Sequence, residues 1–179
     1  MKKIAIDSYY QDESICKTVG VIFNSWTDTE PEKEIECLTS NFEPYIPGEF
    51  YKRELPGILE LLKQVNLEEF DTIIVDSFLE LIDKESNTRK PGLGLHLANN
   101  LAKTGQLHKG LNIIGVAKSK FGKTGKISTA VYRGESKKPL WIQSLNKSNL
   151  DAGELIKNMA GPYRLPALLK ILDKRTKNK

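Results

Sequence analysis

The chain has 179 residues, 39% hydrophobic and 28% charged, which is the composition of one soluble globular domain with room for a core. Its two cysteines, Cys16 and Cys37, form no CxxC pair, so neither a disulfide framework nor a zinc site is indicated. No apolar run approaches the ~20 residues of a membrane helix, and Asp7 interrupts the N-terminal apolar segment before a signal peptide could form, so we expect a cytoplasmic protein.

The formal net charge of +4 conceals an uneven distribution along the chain. Residues 1–117 contain 12 Lys or Arg against 19 Asp or Glu, whereas residues 118–179 contain 15 against 4. A basic surface formed mainly by the last third of the chain is one interpretation, and it suits phosphate binding. A solvated lysine-rich face is the other.

The first third of the sequence has the pattern of strands. Apolar and polar residues alternate over residues 3–9, 15–23 and 35–39, which predicts three consecutive strands in an antiparallel meander. Pro44 and Pro47 cannot continue a strand and predict a stiff loop.

The pattern then changes to alternating helices and buried strands. Helical spacing of apolar residues begins at Glu54 and again after Gly92, and the continuous apolar runs 72–75 and 112–117 are typical of buried parallel strands. The remaining predicted elements are a closing hairpin and two helices, at residues 129–133, 140–143, 150–159 and 167–174.

This order predicts an α/β fold, with three antiparallel strands followed by parallel strands in one mixed β-sheet flanked by helices. Without an internal repeat or a low-complexity linker, residues 1–179 are expected to form a single domain. We expect the basic tail, residues 174–179, to be disordered.

Three acidic residues are candidates for a metal-binding site. Asp7 and Asp76 each follow a hydrophobic strand segment, and a buried carboxylate is costly unless it is paired or binds metal. If the two strands are neighbours, Glu54 at the start of the intervening helix could complete an oxygen-only site for Mg²⁺ or Mn²⁺. On pattern alone, the alternative interpretation is that each Asp forms a turn or caps a helix and that Glu54 only suits a helix N-terminus.

Six segments, in chain order from residue 5 to about residue 173, carry a family resemblance. They are Ala5-Ile6-Asp7-Ser8-Tyr9-Tyr10; Pro44-Tyr45-Ile46-Pro47-Gly48 followed by Arg53-Glu54; Ile74-Val75-Asp76; Gly94-Leu95-His96-Leu97-Ala98; Ile114-Gly115-Val116-Ala117-Lys118-Ser119; and Gly161-Pro162-Tyr163-Arg164-Leu165-Pro166. Together they resemble the endonuclease V family, the deoxyinosine 3′ endonucleases.

The resemblance implies a ribonuclease H-like fold and cleavage of a strand on the 3′ side of deoxyinosine, or of inosine in RNA. It implies that Asp7, Glu54 and Asp76 bind Mg²⁺ or Mn²⁺ and that Lys118 lies near the scissile phosphate. It also implies a wedge that enters the nucleic acid where the damaged base leaves the helix, formed by Tyr45, Ile46, Pro47 and Gly48.

The sequence departs from the family pattern at the expected base pocket and at a histidine. The family has Gly-His-Gly after the second Asp, whereas here Asp76 is followed by Ser77 and Phe78, which become the candidate base pocket. The family histidine is matched by Asn146, which cannot serve as an acid or base near pH 7.

We therefore expect a monomeric Mg²⁺- or Mn²⁺-dependent endonuclease of endonuclease V type that acts on deaminated or mismatched DNA in repair, with no membrane association and no protein partner implied. Two alternatives stay open. One is a nuclease of the same chemistry with an altered substrate, such as inosine-containing RNA or structured DNA. The other is a nucleic-acid-binding member with impaired catalysis.

Overall fold

A computed structural model describes residues 1–10, 15–40, 49–83 and 86–177 of the chain. Seven of its strands form one sheet in the order β3-β2-β1-β4-β7-β9-β8, and β5 and β6 form a separate two-stranded ribbon. The strands are β1 Lys2–Tyr10, β2 Ile15–Phe23, β3 Lys33–Ser40, β4 Phe70–Val75, β5 Glu80–Ile82, β6 Arg89–Pro91, β7 Asn112–Ala117, β8 Thr129–Val131 and β9 Leu140–Ser144. The helices are α1 Tyr51–Leu62, α2 Leu93–Lys103, α3 Asn149–Lys157 and α4 Ala167–Lys177.

The sheet is mixed, as the sequence predicts. Strands β1, β2 and β3 form the antiparallel meander, β1, β4 and β7 are parallel neighbours, and β9 and β8 close the sheet antiparallel. The parallel strands β4 and β7 are buried along almost their whole length because helices cover both faces of the sheet.

The two faces of the sheet carry two separate hydrophobic cores. Helices α1 and α2 pack on one face, where Leu61 of α1 and Leu97 of α2 are fully buried. Helices α3 and α4 pack on the other face, where Ile156 of α3 and Leu168 of α4 are fully buried. The side chains of β1 contribute to both cores by alternation, because Ile4 and Ile6 face α1 and α2 whereas Ala5 faces α3 and α4.

The structure differs from the sequence prediction at three elements. Helix α1 begins at Tyr51 rather than Glu54, and the β5–β6 ribbon carries no alternating pattern that predicts it. The prediction of a disordered tail from Lys174 is wrong for residues 174–177, because α4 continues through Lys177. The continuation is anchored by Thr176, which is 1% exposed, and by an ion pair of 2.8 Å between Arg175 Nε and Glu34 Oε2.

None of the helices in the described part of the chain is long and apolar enough to span a membrane.

Candidate active site

Asp7 and Asp76 lie side by side at one edge of the sheet. In the parallel pair formed by β1 and β4, Ile6 is the partner of Val75, so the next residue on each strand is an aspartate. Neighbouring strands are separated by about 4.8 Å. The condition that the sequence left open, that the two strands be adjacent, is confirmed.

Both aspartates are held in surroundings that disfavour their charge. Burial, reinforced by the nearby Asp76 carboxylate, raises the pKa of Asp7 to about 6, although Lys118 and the Ser8 backbone N–H oppose the shift. Burial likewise raises the pKa of Asp76, against the opposing charge of Lys118. Two carboxylates this close do not both ionise freely without a positive charge between them.

Glu54, the third predicted carboxylate, lies in the first turn of α1. It is 5% exposed, since the helix packs across the β1–β2–β3 meander and turns this residue inward. Burial, followed by the charges of Asp7 and Asp76, raises the pKa of Glu54 well above its ordinary value. The third predicted carboxylate is therefore within electrostatic range of the other two.

Lys118 supplies the positive charge. It follows the last residue of β7, and its Nζ lies 2.6 Å from Asp76 Oδ2 and 2.7 Å from Asp173 Oδ1. Burial acts to lower the pKa of Lys118, but the attraction of Asp76 and Asp173 outweighs it and the pKa is raised. The lysine is therefore fully ionised and is bound to two carboxylates at once.

Asp173 is a member of the site that sequence reasoning missed. It lies on α4, where Lys177 Nζ is 2.7 Å from its Oδ2, and although burial opposes it, hydrogen bonds from Lys118 and Lys177 lower the pKa of Asp173. One turn away, the Thr176 hydroxyl donates to Asp7 Oδ2 at 3.4 Å. The available signal was the helical spacing of Leu169, Leu172 and Thr176, which extends the buried face beyond Lys174.

Ser77 and Phe78 form the turn that follows Asp76. Phe78 is 5% exposed, and the turn packs against β7 at Gly115, where a Cβ atom would lie 2.4 Å from the carbonyl oxygen of Ser77. A cleft of about 400 Å³ opens beside this turn and reaches Asp76 and Lys118. Its lining includes three aromatic side chains, those of Phe50, Phe78 and Phe121, and a second lysine, Lys120. The candidate base pocket is therefore an aromatic cleft that adjoins the carboxylates.

Asn146 is not at this site, contrary to the expectation from the sequence. Its side-chain Nδ2 donates to the carbonyl oxygen of Leu111 at 2.7 Å, and its backbone N–H donates to Asn112 Oδ1 at 2.8 Å. Both partners lie at the start of β7, whereas Lys118 follows the end of this strand, so the length of β7 separates Asn146 from the carboxylates. The amide holds the turn after β9 in place.

The predicted wedge of Tyr45, Ile46, Pro47 and Gly48 lies outside the described residues.

The donor atoms of the site suit a hard divalent cation. Asp7, Glu54, Asp76 and Asp173 offer only carboxylate oxygens, which Mg²⁺ and Mn²⁺ prefer. Burial is the main cause of the raised pKa values of the first three, and a bound cation would favour their charged forms. Within residues 1–10, 15–40, 49–83 and 86–177, no three acidic, histidine or cysteine side chains already converge as a ligand set. As the side chains stand, Lys118 holds Asp76 and Asp173.

Two arginines tie the loop of residues 161–166 to this site. Arg164 donates from its guanidinium to the carbonyl oxygens of Lys118 and Pro139. Arg133, which is 6% exposed, donates to carbonyl oxygens along the segment from Lys157 to Arg164. The backbone that carries Lys118 is thus fixed from the side of α4.

No protein-family model matches the sequence, and no curated protein matches it either. By structure, the chain is similar to solved endonuclease V structures over 98% of its length. Ciona intestinalis endonuclease V, in complex with a 24mer DNA containing an inosine followed by a ribo-adenosine, is 15% identical with a TM-score of 0.74 over 84% of that chain. The human protein is 19% identical with a TM-score of 0.71 over 82% of its chain, and the Bacillus subtilis protein is 19% identical with a TM-score of 0.68 over 78%.

These similarities confirm the predicted fold class: the chain has the ribonuclease H-like fold of the endonuclease V structures.

Proposed function

We propose that this protein is a metal-dependent endonuclease of endonuclease V type, which cleaves the DNA backbone 3′ of deoxyinosine or of related deaminated or mismatched bases in DNA repair. The observation that carries the proposal is the pair Asp7 and Asp76 on adjacent parallel strands, half-buried with raised pKa values and neutralised by Lys118. Clustered carboxylates of this kind lower the stability of a fold, which favours a catalytic reason for their presence.

Asp7 and Asp76 would hold Mg²⁺ or Mn²⁺, with Glu54 as the carboxylate behind them. When bound, the cation polarises the phosphate and acidifies the attacking water. The protein's own contribution is to fix the two strand-borne carboxylates at one spacing through the backbone hydrogen bonds of β1 and β4.

Lys118 would act on the phosphate. Its ammonium group is held by Asp173, so it can leave Asp76 for an arriving phosphate oxygen and stay anchored on α4. A positive charge at this point stabilises the additional negative charge of the pentacovalent phosphate. Asp173 is thus a positioning residue for the lysine.

The cleft beside Ser77 and Phe78 would receive the extruded base. A poorly paired base such as hypoxanthine costs less to extrude than a normal one, and the aromatic lining offers a stacking surface. The wedge assigned to Tyr45, Ile46, Pro47 and Gly48 stays part of this proposal.

The same cleft favours one second candidate, a nuclease of the same chemistry with a different substrate. The buried Phe78 side chain occupies a turn in which the family has glycines that let the backbone approach the base. Inosine-containing RNA and structured DNA are therefore the substrates to compare with deoxyinosine.

The test is cleavage of end-labelled duplexes that contain deoxyinosine, a mismatch or no lesion, and of an inosine-containing RNA, with Mg²⁺ or Mn²⁺. Wild type, Asp76→Asn and the surface control Glu135→Gln are compared. We expect cutting 3′ of the lesion that requires metal, is retained in Glu135→Gln and falls at least about 10²-fold in Asp76→Asn. Cutting of RNA alone would support the second candidate, and binding without cutting of any substrate would leave a nucleic-acid-binding protein.

A further inference from the structure

Tyr163 is an exposed aromatic residue on a firmly held backbone. The residue is 60% exposed, although its own carbonyl oxygen accepts a hydrogen bond of 2.7 Å from the buried Arg133 guanidinium. The next residue, Arg164, is bonded to the carbonyl oxygen of Pro139 at 2.9 Å. The loop therefore holds the ring towards solvent, and little backbone freedom remains to be lost when something stacks on it.

A stripe of lysines runs from this ring to the active site along the exposed side of α4. We call Lys170, Lys174 and Lys177 the α4 lysine stripe; all three are exposed and recur at helical spacing. Lys170 Nζ lies 4.2 Å from the centroid of the Tyr163 ring. At the other end Lys177 binds Asp173, and at 1.5 Å per residue the stripe covers about 10 Å.

Helix α4 itself carries four basic residues, Lys170, Lys174, Arg175 and Lys177, against one acid, Asp173. The stripe belongs to residues 118–179, which contain 15 Lys or Arg against 4 Asp or Glu. One acid, Glu30, lines the shallow cavity formed beside Tyr163, Lys170 and Lys174. A lysine ammonium group attracts phosphate as a point charge, and an aromatic face accepts any unpaired base.

We propose that Tyr163 and the α4 lysine stripe bind a single-stranded segment of nucleic acid that runs from the active site. A base stacks on Tyr163, and the phosphates on either side lie against Lys170 and Lys174. The proposal deepens the proposed function, on which it rests, because the stripe leads to Lys118 and Asp173. A duplex does not suit the ring, since its bases are already stacked and paired.

The test measures affinity for a fluorescein-labelled single-stranded DNA and for the matching duplex, in EDTA so that no cleavage occurs, over a series of salt concentrations. The variants are Tyr163→Ala, Tyr163→Phe and the pair Lys170→Ala with Lys174→Ala. The matched controls are Tyr132→Ala, an aromatic residue that is 57% exposed, and the pair of exposed lysines Lys103→Ala with Lys109→Ala.

We expect Tyr163→Ala to weaken single-strand binding by roughly 5- to 150-fold, the range for loss of one stacked base, and to affect the duplex less. Tyr163→Phe should bind as the wild type does. The double lysine variant should reduce the salt slope of log K by about 1.4, because each lysine that neutralises a phosphate of a single strand contributes about 0.7 to this slope. The control variants should retain wild-type affinity and slope.

Equal effects of the Tyr163 and Tyr132 variants, or an unchanged salt slope in the lysine variant, would overturn this inference. Neither result would affect the proposed nuclease activity, which the Asp76→Asn variant tests separately. Loss of strand binding in the Tyr163 variant of a protein that cuts nothing would support the inference and refute the proposed function. A wild-type protein that binds no nucleic acid would overturn both.

Discussion

The ammonium nitrogen of Lys118 lies 2.6 Å from Oδ2 of Asp76, at the edge of the sheet where the parallel strands end. In the absence of a divalent cation, this lysine is the countercharge of the site. Cation binding and the Lys118–Asp76 contact therefore compete for one carboxylate.

Replacement of Lys118 by methionine tests this competition. Since no ammonium group remains to be displaced, Mn²⁺ should bind more tightly, by roughly tenfold or about 1.4 kcal/mol. Cleavage should fall at least about 10²-fold, because the charge at the phosphate is lost. Calorimetric titration with Mn²⁺ and single-turnover cleavage measure the two effects, with Lys103→Met as the control; weaker Mn²⁺ binding in Lys118→Met would contradict the competition.

Asp7 makes the stability of the metal-free protein depend on pH. Because its pKa is raised to about 6 in the folded state, the folded protein binds this proton more tightly than the unfolded chain does. The resulting stability is present below the unfolded pKa of about 4 and is lost as the pH rises through 6.

Asp7→Asn should therefore stabilise the metal-free protein by up to about 3 kcal/mol at pH 8 and leave it nearly unchanged at pH 4. Urea unfolding in EDTA at the two pH values measures the difference, and Glu135→Gln serves as the surface control. A variant that is less stable than the wild type at pH 8 would show that the Asp7 charge is well compensated in the fold.

Arg133 should be among the most costly residues to replace. Its guanidinium is bonded to backbone carbonyl oxygens of the segment from Lys157 to Arg164. Arg133→Met leaves several of them without a donor, so we expect a loss of about 3 kcal/mol or more in the free energy of unfolding. Arg133→Lys should be more stable than Arg133→Met but less stable than the wild type, because an ammonium group lacks the planar set of donors of a guanidinium group. Equal stability of Arg133→Lys and the wild type in chemical denaturation would contradict this role.

Removal of residues 175–179 should destabilise the protein although the segment is short and basic. Thr176 is buried against the site, and Arg175 pairs with Glu34 of β3. We expect a loss of about 1–3 kcal/mol by chemical denaturation. Lys174→Ala with Lys177→Ala, which keeps Thr176 and Arg175, should cost less than the truncation; unchanged stability of the truncated chain would show that this end of α4 contributes nothing to the fold.

Much of the sheet could be predicted because its strands carry unambiguous patterns. Residues 112–117 form β7 and the meander of β1, β2 and β3 forms as predicted, whereas the adjacency of β1 and β4, which the sequence left open, is established by the structure. Asp7 and Asp76 could be located from the same patterns, because each follows a buried run, whereas Lys118 is indicated only by the family resemblance. The β5–β6 ribbon could not, because three-residue strands have too few positions to show alternation.

The errors at the site have one physical origin, which is the dependence of its geometry on distant packing. Asp173 lies near the end of the helix predicted at residues 167–174, and its place at the site depends on the packing of Leu169 and Leu172 against the sheet. Asn146 follows β9, which runs antiparallel to β7, so it emerges at the opposite edge from Lys118. The local sequence does not determine that β9 runs antiparallel to β7.

Calorimetric titration of the metal-free protein with Mn²⁺ tests the central claim, that the carboxylates at this sheet edge form a divalent-cation site. We expect saturable binding by the wild type, and binding weakened at least about tenfold in both Asp7→Asn and Asp76→Asn, with Glu135→Gln unchanged. No binding by the wild type at millimolar Mn²⁺, or equal binding by the wild type and both aspartate variants, would contradict it.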